Sequence, residues 1–305
     1  MRILAIDGGG IRGVYSAVLL DRLRQEVPRL LEDCGLFAGT STGGILALGL
    51  ASGRSPAQMA QLYQANGAKI FDDSWLDDLK DLGKLRGAEY DNAELRKILS
   101  SEFGGTTLRS LSPRRVLVSA FDLDNGEKDA KKRQWKPKFF HNFPGSDTDG
   151  TEKVVDVAMY TSAAPTFFPS YEGYIDGGVV ANNPSMAALA QVLDRRIGKP
   201  AELEDVSLLS LGTGSSLKYI SGQRNDWGFA QWVKPLIELI LDGSVGVADY
   251  ECRQILGDRY HRLAPVFEPG TAIKMDDYER IPELIELARQ VDLADTVKWL
   301  KAEWN

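Results

Sequence analysis

The pentapeptide Gly39-Thr40-Ser41-Thr42-Gly43 lies between a short apolar run and the Ala/Leu-rich stretch 45–50, and it constrains this chain more than any other feature. A serine flanked by small residues, where a strand turns into a helix, is the setting of a nucleophile elbow. The glycines on either side permit a tight, strained turn. Such a turn holds the hydroxyl at the tip of a sheet, above the N-terminus of the next helix. The helix dipole there favours the negative charge that develops on an attacked ester. The same pattern also describes a Gly/Ser-rich turn capping a buried helix, so the rest of the chain has to decide between them.

The chain has 305 residues, 43% of them hydrophobic, enough for a sizeable core. A net charge of −7 argues against a nucleic-acid polymer as partner, because no basic excess is present to neutralise phosphates. Two cysteines, Cys34 and Cys252, form neither a disulfide framework nor a metal-binding spacing. The opening Met1-Arg2-Ile3-Leu4-Ala5-Ile6-Asp7 reads as a strand entering a functional loop and not as a signal peptide. No run approaches the roughly 20 apolar residues of a membrane span. A cytoplasmic protein, with membrane contact at most peripheral, is the expectation.

Strand-like runs at 2–6, 35–38, 115–121, 138–143, 171–175 and 206–211 alternate with helical patterns. That order predicts an α/β fold: a central, mostly parallel sheet sandwiched by helices in three layers. A single domain over 1–305 is the simplest reading, with its motifs in 7–214 and a helical C-terminal part in 215–305. Residues 71–90, rich in Asp and Lys, read as a surface insertion, with a cover over the site as the functional alternative. Lys128, Lys131, Lys132, Arg133 and Lys136, together with Trp135, read as a solvated loop or as a contact for lipid headgroups. The run 229–241 places Trp232, Val233, Leu236, Ile237, Ile240 and Leu241 at helical spacing. A core helix is the expectation there, against a helix lining an acyl channel or touching membrane.

Glycine-rich signals follow three of the strands. Gly8-Gly9-Gly10-Ile11-Arg12-Gly13 contains G-x-G-x-x-G, but a dinucleotide site also needs an acidic residue at the end of the second strand. That strand ends in the Ser41 pentapeptide instead. The loop makes better sense as an oxyanion hole, with the backbone amides of Gly9 and Gly10 unobstructed. Arg12 would support the loop or neutralise a phosphate. For the base, the order Ser41, acid, His261 is formally available, but His261 sits in a strand-like run and His141 precedes the acid. Asp176 is the better candidate, because it ends a strand and is followed by Gly177-Gly178. A carboxylate is a weak base beside a hydroxyl, so this dyad requires desolvation and strong oxyanion donors.

Four blocks in order, at 7–13, 39–44, 161–169 and 176–184, give the chain a resemblance to the patatin-like phospholipases, which Gly212-Thr213-Gly214 extends. The resemblance implies a Ser-Asp dyad without histidine. It implies Ser41 as nucleophile, Asp176 as base, and Gly8, Gly9 and Gly10 as oxyanion hole. Arg12, Gly13, Gly39, Thr42, Gly43, Gly177 and Gly178 take supporting positions. It further implies hydrolysis of fatty acyl esters of phospholipids or other lipids, with no cofactor and no metal. Pro165, Phe167 and Phe168 are candidates for an acyl pocket, and Asn182, Asn183 and Pro184 for the turn that holds Asp176. Some bacterial relatives respond to signalling nucleotides, so a small-molecule activator belongs among the readings. The alternatives from other classes are a nucleotide-binding oxidoreductase or sensor built on the Gly8–Gly13 loop, and a membrane-recruited binding protein with a silent site.

Overall fold

The computed structural model describes residues 1–71, 88–222 and 224–304. Its central sheet begins with β1 (Arg2–Ile6), which enters the glycine loop and then α1 (Gly13–Glu26). β2 (Leu36–Thr40) leads through Ser41 into α2 (Thr42–Ala51), followed by α3 (Pro56–Phe71). Ser55 caps α3, its hydroxyl accepting from the Gln58 N–H while the Gln58 side chain accepts from the Ser55 N–H. The segment 71–90, expected as an insertion and a cover, lies from 72 to 87 outside the described residues. α4 (Asn92–Phe103) starts at Asp91, which accepts from the Ala93 N–H.

β3 (Arg115–Asp122) and β4 (Lys136–His141) form an antiparallel pair. α5 (Val154–Ser162) precedes β5 (Tyr174–Asp176), which is shorter than the run 171–175 suggests. Tyr171 and Tyr174 instead bridge across a turn in which Glu172 and Gly173 both take positive φ. A short helix, α6 (Gly178–Ala181), and then α7 (Ser185–Val192) follow. β6 (Ser207–Leu211), the 28-residue α8 (Phe229–Leu256), β7 (Tyr260–Leu263), α9 (Ile281–Gln290) and α10 (Ala294–Glu303) complete the chain. The C-terminal part is therefore not purely helical. Tyr260, His261, Arg262 and Leu263 add a parallel strand beside β6.

The sheet order is β4-β3-β2-β1-β6-β7, parallel from β3 to β7, with β4 antiparallel at one edge. Every residue of β2 and β6 is buried, as strands covered on both faces must be. Alternate residues of β1 divide between two cores. Leu4 and Ile6 pack with α1 to α5 and with α9 and α10, whereas Ile3 and Ala5 pack with α7 and the end of α8. This is the three-layer arrangement expected.

One buried ion pair ties the two halves of the sheet together. Arg262 on β7 reaches Asp7 at the end of β1, Nη2 to Oδ2 at 2.6 Å, and its Nη1 also donates to Ser210 Oγ. Both side chains are buried, so removing one partner strands a charge in the interior. Arg262→Met should therefore lower the unfolding free energy by about 3–5 kcal/mol in urea titrations. Adding Asp7→Asn to that variant should recover a large part of the loss, because the stranded carboxylate is then gone.

Candidate active site

Ser41 sits in the turn between β2 and α2 with φ 55° and ψ −126°, a conformation that non-glycine residues rarely adopt. Two close approaches of the backbone enforce it. A side chain on Gly39 would overlap the Gly43 carbonyl, and one on Gly43 would overlap the Ile6 carbonyl. The Ser41 N–H donates to Thr161 Oγ1 at 2.7 Å, and that hydroxyl donates to the Ser119 carbonyl at 2.6 Å. Thr161 on α5 thus pins the elbow to β3. It lies inside the third sequence block, although nothing in its local pattern marks it as a site residue.

The register of β3 explains how Asp176 reaches Ser41. β2 pairs with β3 up to Thr40↔Ser119, while β5 pairs with the next residues, from Ala120↔Asp176 to Asp122↔Tyr174. β4 occupies the other edge of β3 over the same residues, so β5 takes the edge that β2 vacates. The two strands run in opposite directions and meet end to end. The strand ends bring Ser41 and Asp176 to the wall of one cavity, close enough for the Ser41 hydroxyl to lower the pKa of the Asp176 carboxyl.

Asp176 is buried, and its Oδ1 accepts the Gly178 N–H at 2.7 Å. Burial pushes its pKa up from 3.8 to about 6, while hydrogen bonds from Ser41 and Gly178 partly oppose the rise. The carboxylate is thereby a stronger base than a solvated one while remaining ionised at neutral pH.

The glycine loop supplies donors unequally. The Gly8 N–H donates to the Asn182 carbonyl at 3.0 Å, so Gly8 is not an oxyanion donor as expected. Its lack of a side chain instead leaves room for Asn182 Oδ1 and the Ser41 methylene. The N–H groups of Gly9 and Gly10 have no acceptor among the described residues, and both glycines line the cavity beside Ser41. Arg12 supports the loop, its Nε donating to the Gly9 carbonyl and its Nη1 to the Gly214 carbonyl. Gly13 admits the Thr42 hydroxyl, which pairs with the Tyr63 hydroxyl. Gly177 packs against the Ser119 backbone, a position with no space for a side chain.

Neither histidine lines this cavity. His261 Nε2 pairs with Thr296 Oγ1 and its ring stacks on Trp299, while His141 is buried on β4. A triad through His261 is excluded by position.

The cavity is narrow, about 100 Å³, with almost wholly apolar walls. Pro165, Phe167 and Phe168 line it as expected, joined by Ile237, Leu241 and Met275. Asn182 also lines it, beyond shaping the turn after Asp176. α8 differs from the core helix expected of 229–241. Trp232, Leu236, Leu239 and Ile240 are exposed, while Ile237 and Leu241 line the cavity.

Comparison with known families matches residues 4–189 to the family described as patatin-like phospholipase. The chain belongs to the patatin-like phospholipase family. This patatin-like chain is 32% identical to a cGAMP-activated phospholipase of Pseudomonas aeruginosa, over 92% of its own length and 82% of that protein's. It is 29% identical to the putative sporulation hydrolase CotR of Bacillus subtilis, over 100% of its length and 98% of the relative's. Patatin-like protein 4 of Arabidopsis thaliana is 28% identical over 92% and 79% of the two chains. The patatin-like chain is accordingly a serine hydrolase of lipid acyl esters. No helix among its described residues is long and apolar enough to cross a membrane.

The raised pKa of Asp176 has a stability consequence of definite sign. The folded state holds the proton more tightly than the unfolded state, so ionisation costs stability as pH rises from 3.8 through about 6. Asp176→Asn removes that cost. Its unfolding free energy should exceed the wild type's by up to about 3 kcal/mol at pH 8 and by less than about 1 kcal/mol at pH 4, measured by urea denaturation.

Proposed function

We propose that this protein cleaves fatty acyl esters of phospholipids through Ser41 and Asp176, by way of an acyl-enzyme. The contact between the strained serine and the buried, cation-free carboxylate carries the reading. Asp176 takes the Ser41 proton as the hydroxyl oxygen attacks the ester carbonyl. The Gly9 and Gly10 N–H groups hold the resulting oxyanion, and the alcohol leaves with the proton from Asp176. Water then attacks the acyl-enzyme with Asp176 again as base, and the fatty acid departs. The apolar slot between the Phe167–Phe168 wall and α8 suits an acyl chain better than a polar substrate. The cGAMP-activated relative supports a regulated enzyme, with a nucleotide-type activator in the same reading.

Fatty-acid release from phospholipid vesicles, with and without cGAMP, tests this proposal alongside turnover of p-nitrophenyl butyrate. Ser41→Ala and Asp176→Asn should each lower ester turnover at least about 10³-fold while remaining folded. For the wild type, kcat/KM should fall about tenfold per pH unit below a midpoint near 6, because only ionised Asp176 accepts the proton. Full activity in Asp176→Asn would discard the dyad.

Membrane contact at the sheet's carboxyl edge completes the reading. The exposed apolar side of α8 adjoins the cavity mouth, and Leu217 and Tyr219 are 80% and 89% exposed nearby in sequence. The β3–β4 hairpin, with its basic residues and exposed Trp135, leaves the same edge as Ser41. Such aromatic and apolar side chains flanked by lysines suit the headgroup region of an anionic bilayer. Replacing both Leu236 and Ile240 with Asp should lower binding to anionic vesicles at least about tenfold in co-sedimentation. Unchanged partitioning would remove α8 from the docking surface.

A further inference from the structure

A second cavity, of about 310 Å³, lies on the other side of the glycine loop from the acyl slot. It opens between the carboxyl ends of β1 and β6. From β1 the chain proceeds to β2 on one side, whereas β6 flanks β1 on the other, so this is the topological switch point of the sheet. Open α/β sheets bind ligands in the crevice at that point.

The walls of this cavity are about half polar, in contrast to the almost wholly apolar acyl slot. The loop after β6 contributes the N–H groups of Thr213, Gly214 and Ser216, none of which has an acceptor among the described residues. Gly214 takes φ +78°, and a side chain there would strike the Phe267 ring, so the loop keeps its backbone open. Arg12 enters from the loop after β1 with Nη2 undonated among the described residues. Lys218 stands at the rim, where its 2.9 Å pair with Glu238 is more than half exposed on both sides and weakly held. Of the two carboxylates, Asp7 is neutralised by Arg262, and Asp242 on α8, whose charge acts on Arg12, has oxygens to accept from a hydroxyl or amine. Clustered backbone N–H groups with arginine and lysine favour a phosphate, and Asp242 favours an organic group bearing donors.

The cavity is also tied to the candidate oxyanion donors. In a trans peptide the C=O and the following N–H point in opposite directions. Thr213 Oγ1 donates to the Gly8 carbonyl at 3.1 Å, which aims the Gly9 N–H away from this cavity and into the acyl slot. Arg12 holds the Gly9 carbonyl and so orients the Gly10 N–H in the same way. The polar cavity therefore grips the back of the two peptide planes whose front faces Ser41.

We infer that this cavity is a binding site for a phosphate ester carrying hydroxyl or amino groups, and that its occupancy sets the orientation of the Gly9 and Gly10 amides through Thr213 and Arg12. The inference rests on the Ser41–Asp176 reading for its effect on turnover, but not for binding. Thr213 is a positioning residue in this scheme, since it acts through Gly8 and touches no reacting atom.

Binding of glycerol 3-phosphate and of AMP to the full chain carrying Ser41→Ala, followed by calorimetry, separates the site from the chemistry. At least one should bind saturably, and Lys218→Glu at the exposed rim should weaken it about tenfold. In the wild type the bound ester should change kcat for p-nitrophenyl butyrate at least about fivefold with KM unchanged. Thr213→Val should keep the binding and lose the kcat response, and Thr213→Ser should restore it. Binding without any kcat response would overturn the coupling. If neither ester binds, phosphatidylglycerol is compared with diacylglycerol of the same chains. A phospholipid preference lost in Lys218→Glu would assign the phosphate to the substrate's headgroup and overturn the soluble ligand. No binding and no such preference would overturn the site itself. Loss of turnover in Asp176→Asn is read independently, so failure of the dyad and failure of this cavity give different results.

Discussion

The edge of β3 that two strands share is the constraint on which the rest of the site depends. β2 pairs with it as far as Ser119 and then must leave, because Ser41 turns the chain into α2. β5 arrives from the opposite direction and pairs from Ala120 onward. Two strand ends on one edge place a hydroxyl and a carboxylate face to face without either being carried on a flexible loop. The geometry is held from several sides. Gly39 and Gly43 permit the backbone crossing, Thr161 fixes the Ser41 N–H, and Ala163 accepts the Asp176 N–H. A φ of 55° at Ser41 persists because the surroundings over-determine it.

The electrostatics follow from the same burial. Most carboxylates deep in a protein meet a cation, as Asp7 meets Arg262 at the other side of the glycine loop. Among the described residues Asp176 meets the Ser41 hydroxyl and the Gly178 N–H, with no cation beside it. Two hydrogen bonds without a compensating charge leave its pKa raised, and that instability of the anion suits the base role proposed for it. Asp7 and Asp176 thus show one residue type in two settings, the first neutralised by an arginine and the second held by hydrogen bonds with its pKa raised.

α8 joins the interior to the surface. Its Ile237 and Leu241 close the acyl slot, while Leu236, Leu239 and Ile240 stand exposed on neighbouring positions. A helix that is apolar over so wide an arc ordinarily lies in a core. Here Asp242, Gly243 and Gly246 interrupt the pattern where the helix passes the polar cavity, and among its described side chains the buried ones, Ala248, Cys252 and Leu256, fall in its last turns. Hydrophobic spacing reported a helix correctly. It could not report which side would be left uncovered, since that depends on what the other elements bury.

The sequence by itself determined the alternation of strands and helices, the elbow at Ser41 and the glycine loop after β1. Each is encoded by local rules of period, turn chemistry and steric freedom that act within about ten residues. The four ordered blocks also made the family legible, and with it the resemblance that pairs Ser41 with Asp176. Tertiary structure alone decided the rest. That Gly8 gives its N–H to Asn182, while those of Gly9 and Gly10 find no acceptor among the described residues, depends on a contact across more than 170 residues. Thr161 as the clamp on the elbow, the parallel pairing of β7 with β6, and the exposed side of α8 are decisions of the same kind. The physical reason is common to all of them. Local sequence sets which conformations a segment can adopt, but hydrogen-bond partners and burial belong to pairs of segments, and pairing is settled only when the sheet assembles.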